Sequence, residues 1–110
     1  MAVFTPKKLY TGQPGTTATT LYTAPSSTTS LIKNIIICNT TSAAATVTLS
    51  LVPSGGSAAV TNRIMSALNI SANDTVAMDL SGVLSTGDFI SALQGTSGAL
   101  TLHITGVEVV

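Results

Sequence analysis

The chain has 110 residues, 45% of them apolar, with four cationic and four acidic side chains, zero net charge, one His, one Cys and no Trp. That length and apolar share suit one domain that buries its own core without disulfides. The charge balance excludes the basic footprint of a nucleic-acid binder, and the shortage of titratable and nucleophilic groups argues against an enzyme.

Residues 1–16 are broken by Pro6, Gly12, Pro14 and Gly15. Such a segment does not make a central strand. It is expected to be an extended N-terminal arm that adds to a neighbour's sheet edge or lies across its surface. Its partner-binding candidates are Val3, Phe4, Lys7, Lys8, Leu9 and Tyr10; the alternative is a terminus touching its own domain. No leader with a basic start and an apolar stretch is read there, and no apolar run is long enough to span a membrane.

From residue 17 onward the period is two. Residues 17–23 form a first strand, ended by Ala24-Pro25. Residues 31–39 are denser: simple alternation puts Ile35 and Ile37 on one face and Ile32, Ile36 and Cys38 on the other, as in a central strand covered on both sides or one that packs against another subunit. Residues 40–44 read as a hairpin connection. Val47, Leu49 and Leu51 then alternate with Thr46, Thr48 and Ser50 as a half-buried strand. Residues 53–57 form a loop. The stretch 58–70 is ambiguous, since Val60, Ile64 and Leu68 fit a short helix while the interleaved polar residues fit a strand pair. Val76, Met78 and Leu80 alternate with Thr75, Ala77 and Asp79, with Ser81-Gly82 as the closing turn. Residues 88–93, with Phe89 in the core, and then Leu100, Leu102 and Ile104 complete the set.

About seven or eight short strands with frequent turns describe an all-β, single-domain antiparallel β-sandwich, jelly-roll-like, over residues 17–110, with the arm over 1–16. No repeat of longer period is present.

The chemical candidates are few. His103, the only imidazole, sits mid-strand on the face of Thr101 and Thr105, away from any partner Ser or Cys of a triad. Cys38 lies in the run Ile35-Ile36-Ile37-Cys38, where a buried apolar role is expected. Asp74 and Asp88 fall in turns, where Asp caps backbone amides, and nothing pairs them with Asp79 or Glu108 for acid–base work. No metal or cofactor site is expected. Four aromatic residues, Phe4, Tyr10, Tyr22 and Phe89, give thin support for a sugar-stacking platform. The abundance of Ser and Thr, 32 residues, keeps the surface polar without charge repulsion, which suits a subunit held among copies of itself.

The segments Thr20-Leu21-Tyr22-Thr23-Ala24-Pro25, Leu31-Ile32-Lys33-Asn34-Ile35-Ile36-Ile37-Cys38-Asn39 and Ala45-Thr46-Val47-Thr48-Leu49-Ser50-Leu51-Val52-Pro53-Ser54-Gly55-Gly56, followed by Ile70-Ser71-Ala72-Asn73-Asp74-Thr75 and Leu84-Ser85-Thr86-Gly87-Asp88, together resemble small virion structural proteins of tailed bacteriophages and prophages. The resemblance covers residues 17–109 and leaves the first sixteen outside it. It implies a β-sandwich that self-associates, often as a trimer, and docks on a larger particle. Proteins of this kind are head decoration (cement), head-fibre or tail-associated proteins, and the first expectation is a capsid decoration protein docked on the major capsid protein or another virion protein, in a virion assembled in the host cytoplasm. A tail or baseplate subunit is the second expectation, and a small carbohydrate- or receptor-binding module the third. The resemblance supplies no catalytic residue.

Overall fold

A computed structural model of the chain describes residues 2–110. It contains strands β1 (Phe4–Gly12), β2 (Thr19–Thr23), β3 (Thr29–Asn39), β4 (Ala45–Val52), β5 (Arg63–Ile70), β6 (Thr75–Leu84), β7 (Phe89–Gln94) and β8 (Leu100–Val109). They form two antiparallel four-stranded sheets, ordered β1-β8-β3-β6 and β2-β7-β4-β5. Strand β1 pairs with β8, β2 with β7, β3 with β6 and β4 with β5. The chain is therefore a ribbon of nested hairpins rolled into two layers, the eight-stranded jelly roll. The all-β sandwich expected from the period-two pattern is the fold.

The core lies between the sheets. Ile32, Ile35, Ile37, Leu102 and Ile104 from one sheet meet Val47, Leu49 and Ile90 from the other, all fully buried. Ile32 shares this inner face with Ile35 and Ile37, which corrects the simple alternation. A β-bulge between Ile32 and Asn34 inserts one residue against β8 and switches the parity of β3. Ile36 and Cys38 turn outward and are half-buried.

A second bulge, between Lys8 and Tyr10 of β1, lies on the other side of Thr105, opposite the Thr105–Ile104 step, so that Lys8 and Asn34 both pair with Thr105, and Lys7 and Ile32 both pair with Gly106. It turns Leu9 and Tyr10 inward together. Gly106 sits between the two kinked strands, where a Cβ would lie 2.0 Å from the Leu31 carbonyl oxygen and 3.0 Å from Leu9 Cδ1. Only a residue without a side chain fits there.

Residues 4–12 are thus the edge strand β1, tied to β8 through eight residue pairs. Within one chain, this is the alternative in which the N-terminal segment touches its own domain. Pro6 and the bulge are tolerated because one side of an edge strand needs no ladder bonds.

Three local expectations also change. Residues 40–44 cross from one sheet to the other rather than closing a hairpin, and buried Asn39 shapes the crossing. Its amide donates to Ala43 O (2.8 Å) and Ile70 O (3.1 Å), and its Oδ1 accepts from Thr41 N (2.9 Å) and Thr41 Oγ1 (2.8 Å). Over 58–70 the chain makes one 3-10 turn, Val60–Asn62, and then strand β5, because β4 offers a partner edge. Strand β6 continues through Ser81-Gly82, because β3 is long enough to pair Gly82 with Ile32 and Leu84 with Ser30.

Candidate interaction surfaces

The six N-terminal candidates divide by the bulge in β1. Leu9 is buried and Tyr10 packs half-buried against the core. Both serve the chain's own interior and are withdrawn as partner contacts. Val3 and Phe4 are 53% and 65% exposed. Lys8 is exposed. Lys7 is exposed but engaged, with Nζ 3.2 Å from Glu108 Oε2.

That ion pair is the outer end of a polar clasp between the sheets. Tyr22, on β2, donates its hydroxyl to Glu108 Oε2 of β8 (2.5 Å) and lies 2.7 Å from Ser30 Oγ of β3. Burial, followed by the hydrogen bond to Glu108, pushes the Tyr22 pKa up to about 12. The same hydrogen bond, with help from Lys7, holds the Glu108 carboxyl below its ordinary value. This is a structural clasp, since every member already has its partner. Sequence reading missed it, though one signal was present. Leu100, Leu102, Ile104, Gly106 and Glu108 share one parity, so an acid falls on an inward-facing row. Its partner was hidden by the bulge between Thr20 and Tyr22.

The other chemical candidates lie apart. His103 is exposed on the outer face of β8, opposite Thr11 and Ile36. Cys38 is on the same face, opposite Thr101 and Thr75. Asp74 accepts from its neighbour Thr75 N (2.9 Å), and Asp79 accepts from Asn34 Nδ2 (3.0 Å). Asp88 ties two loops by accepting from Ser54 N (2.9 Å) and Ser85 N (3.0 Å). Among the described residues no group of three His, Cys, Asp or Glu is placed to hold a metal ion.

The outer faces of the sheets differ. On the β1-β8-β3-β6 sheet the registers align outward residues in rows across the strands. One row reads Pro6, Val107, Leu31, Val83, apolar from edge to edge. The next reads Lys8, Thr105, Asn34, Asp79, a cation at one edge and an anion at the other. Phe4 and Val109 extend the apolar end. On the β2-β7-β4-β5 sheet the outward row holds Ser50 and Ser91, which face each other across β4 and β7. Ala58 and Ala59 of the following loop join them, with Thr48 and Arg63, around a shallow cleft of about 80 Å³. Phe89, expected in the core, is half-buried on this outer side, paired with Val52.

No protein-family model and no curated protein matches the chain. Solved structures match its fold. A chain in the structure of infectious bursal disease virus, Gx strain, superposes with a TM-score of 0.56 at 12% identity, over 100% of this chain and 32% of that one. A chain from the Gt strain of the same virus gives 0.50 at 12% identity, over 98% of this chain and 31% of that one. The tobacco streak virus coat protein gives 0.47 at 12% identity, over 98% and 84%. The chain therefore spans about a third of the length of the first two.

Proposed function

We propose that the chain is a structural subunit of a virus particle, and specifically the capsid decoration (cement) protein of a tailed bacteriophage that its sequence resemblance implies. The observation that carries the reading is the strand order β1-β8-β3-β6 over β2-β7-β4-β5, together with its likeness over the full chain to a component of a virus structure. Jelly rolls serve in viral capsids, lectins and cupins, and this likeness favours the first.

The mechanism is adhesion. Each copy offers a sparsely charged, net-neutral, hydroxyl-rich surface with one apolar belt, and buries parts of it against sister copies and the major capsid protein. Contacts that are weak singly add up when symmetry repeats them, because each later contact is made at high effective concentration. The assembly order implied by the resemblance is a trimer. Val3, Phe4 and Lys8 remain the N-terminal candidates for partner contact.

Cryo-electron microscopy of purified particles, with and without the protein, tests the reading. Extra density on the capsid shell, and heads that resist heating better when it is present, are expected. Density on the tail alone would move the assignment to a tail subunit. A protein that never copurifies with particles would overturn the reading.

A further inference from the structure

We propose that the outer face of the β1-β8-β3-β6 sheet is a two-fold interface that takes a second copy of this chain. The registers make that face complementary to itself. Consider a two-fold axis parallel to the strands, midway between β8 and β3, with the copies stacked face to face. The rotation lays β1 over β6 of the second copy and β8 over β3, and it leaves every row opposite the same row. The apolar row then meets itself, Pro6 against Val83 and Val107 against Leu31, each twice. In the next row Lys8 of each copy faces Asp79 of the other, and Thr105 faces Asn34. An isologous contact requires such a pattern, with unlike charges at equal distances on opposite sides of the axis. Lys33, exposed in the β3 bulge, meets the neutral Thr105 region rather than a like charge.

The occupants are available. Val83 and Phe4 are 59% and 65% exposed. Among the described residues Lys8 makes no side-chain hydrogen bond or ion pair, and Asp79 is engaged only by the neutral Asn34 amide. Four strands about 4.8 Å apart and about five outward residues deep give roughly 600 Å² of flat face per copy. That approaches the ~800 Å² per partner of a standard interface. It suits a reversible dimer that symmetry in an assembly would reinforce. Stacked sheets prefer a relative rotation of about 30°. This displaces the edge strands by a few Å, within the reach of the Lys8 side chain.

The face accounts for pairs of copies and leaves the trimer of the resemblance to other surfaces. The inference deepens the self-association in the proposed function, and the two fail separately. A chain that decorates particles but never pairs sinks only the interface; a chain that pairs but never reaches particles sinks only the virion reading.

Sedimentation velocity over a concentration series up to about 1 mM is the test. The wild-type mass is expected to rise to two copies. Lys8→Asp sets like charges opposite each other twice and is expected to weaken pairing about tenfold, as is Asp79→Lys. The double variant, Lys8→Asp with Asp79→Lys, is expected to restore pairing. Val83→Asp, at an exposed site, is expected to abolish it without shifting the melting temperature. If that variant fails to fold, the charge exchange still decides. A wild-type chain that stays monomeric throughout, or associates only as a trimer indifferent to these changes, overturns the proposal. So does a double variant no better than the single ones.

Discussion

On the β2-β7-β4-β5 sheet the outward Ser50 and Ser91 are 3% and 4% exposed and Val52 is fully buried, whereas on the β1-β8-β3-β6 sheet the outward Phe4 and Val83 are 65% and 59% exposed. Both faces are built from alternating strands. The difference lies in the connections. After β4 the chain turns at Pro53 and returns across its own sheet, bringing Gly56 against Val52 and Ala58 and Ala59 over Ser50. Among the described residues no segment returns over the other sheet in the same way. An apolar row that the chain does not cover is a surface offered to something else.

The largest break in this comparison comes from inside the open sheet. Gly106→Ala places a methyl group 2.0 Å from the Leu31 carbonyl oxygen, so the backbone of β3 or β8 must shift. A destabilisation of about 3 kcal/mol is expected, measured by denaturant unfolding. The two bulges flanking Thr105 should lose their relative register, and with it the alignment of the outer rows. A variant as stable as wild type would mean that the bulge line does not constrain the sheet.

Asp88→Ala tests the covered sheet. One carboxylate holds the Ser54 and Ser85 amides and so fixes the start of the covering loop. Its loss should cost about 1–2 kcal/mol and speed amide exchange at Val52 and its neighbours, with β8 unchanged. Equal acceleration in both sheets would show that the loop is no separate unit.

Tyr22→Phe removes the bond joining the two layers at the clasp, for an expected loss of about 1 kcal/mol. It also gives a pH signature. Glu108 titrates below its ordinary value in the folded chain, so its contribution is present above that value and fades as pH falls below about 4.5. Tyr22 titrates near 12 rather than 10, so its contribution is complete below pH 10 and is lost as pH climbs toward 12. Wild-type stability should therefore decline at both extremes, and Tyr22→Phe should remove the alkaline decline and weaken the acid one. Unchanged profiles in thermal melts would remove the clasp from the account.

Much of this was legible in the sequence. The alternation of Val47, Leu49 and Leu51, and of Leu100, Leu102 and Ile104, gives strands with their inner faces correctly assigned, and the turn residues between them give an antiparallel sandwich. What stayed hidden depends on single inserted residues. The bulges at Leu9 and Lys33 reverse parity without altering composition, so simple alternation puts Ile32 on the wrong face and gives no sign that Leu9 and Tyr10 turn inward. Strand order was equally hidden, because it follows from which connections cross between layers, and Asn39 directs one crossing through bonds that no local pattern announces. The interaction rows exist only once the register is known, since Lys8 and Asp79 are 71 positions apart in the chain yet share a row.

The smallest expected effect is the sharpest check on which charges are free for a partner. Lys7 and Lys8 are adjacent and both exposed, but the strand turns them to opposite sides. Lys7 reaches Glu108 at 3.2 Å with its side chain 46% exposed, while Lys8 lies on the outer row. An exposed pair of this kind contributes about 0.5 kcal/mol or less. Lys7→Ala should therefore barely move the melting temperature, and it should leave self-association unchanged because its charge is directed to its own clasp. Lys8→Ala should be equally silent in the melt, since Lys8 has no side-chain partner among the described residues, yet should weaken pairing of copies. Melts and sedimentation on these two variants separate a charge that serves the fold from one that serves the surface. If Lys7→Ala weakened pairing and Lys8→Ala did not, the outer row would be wrongly drawn.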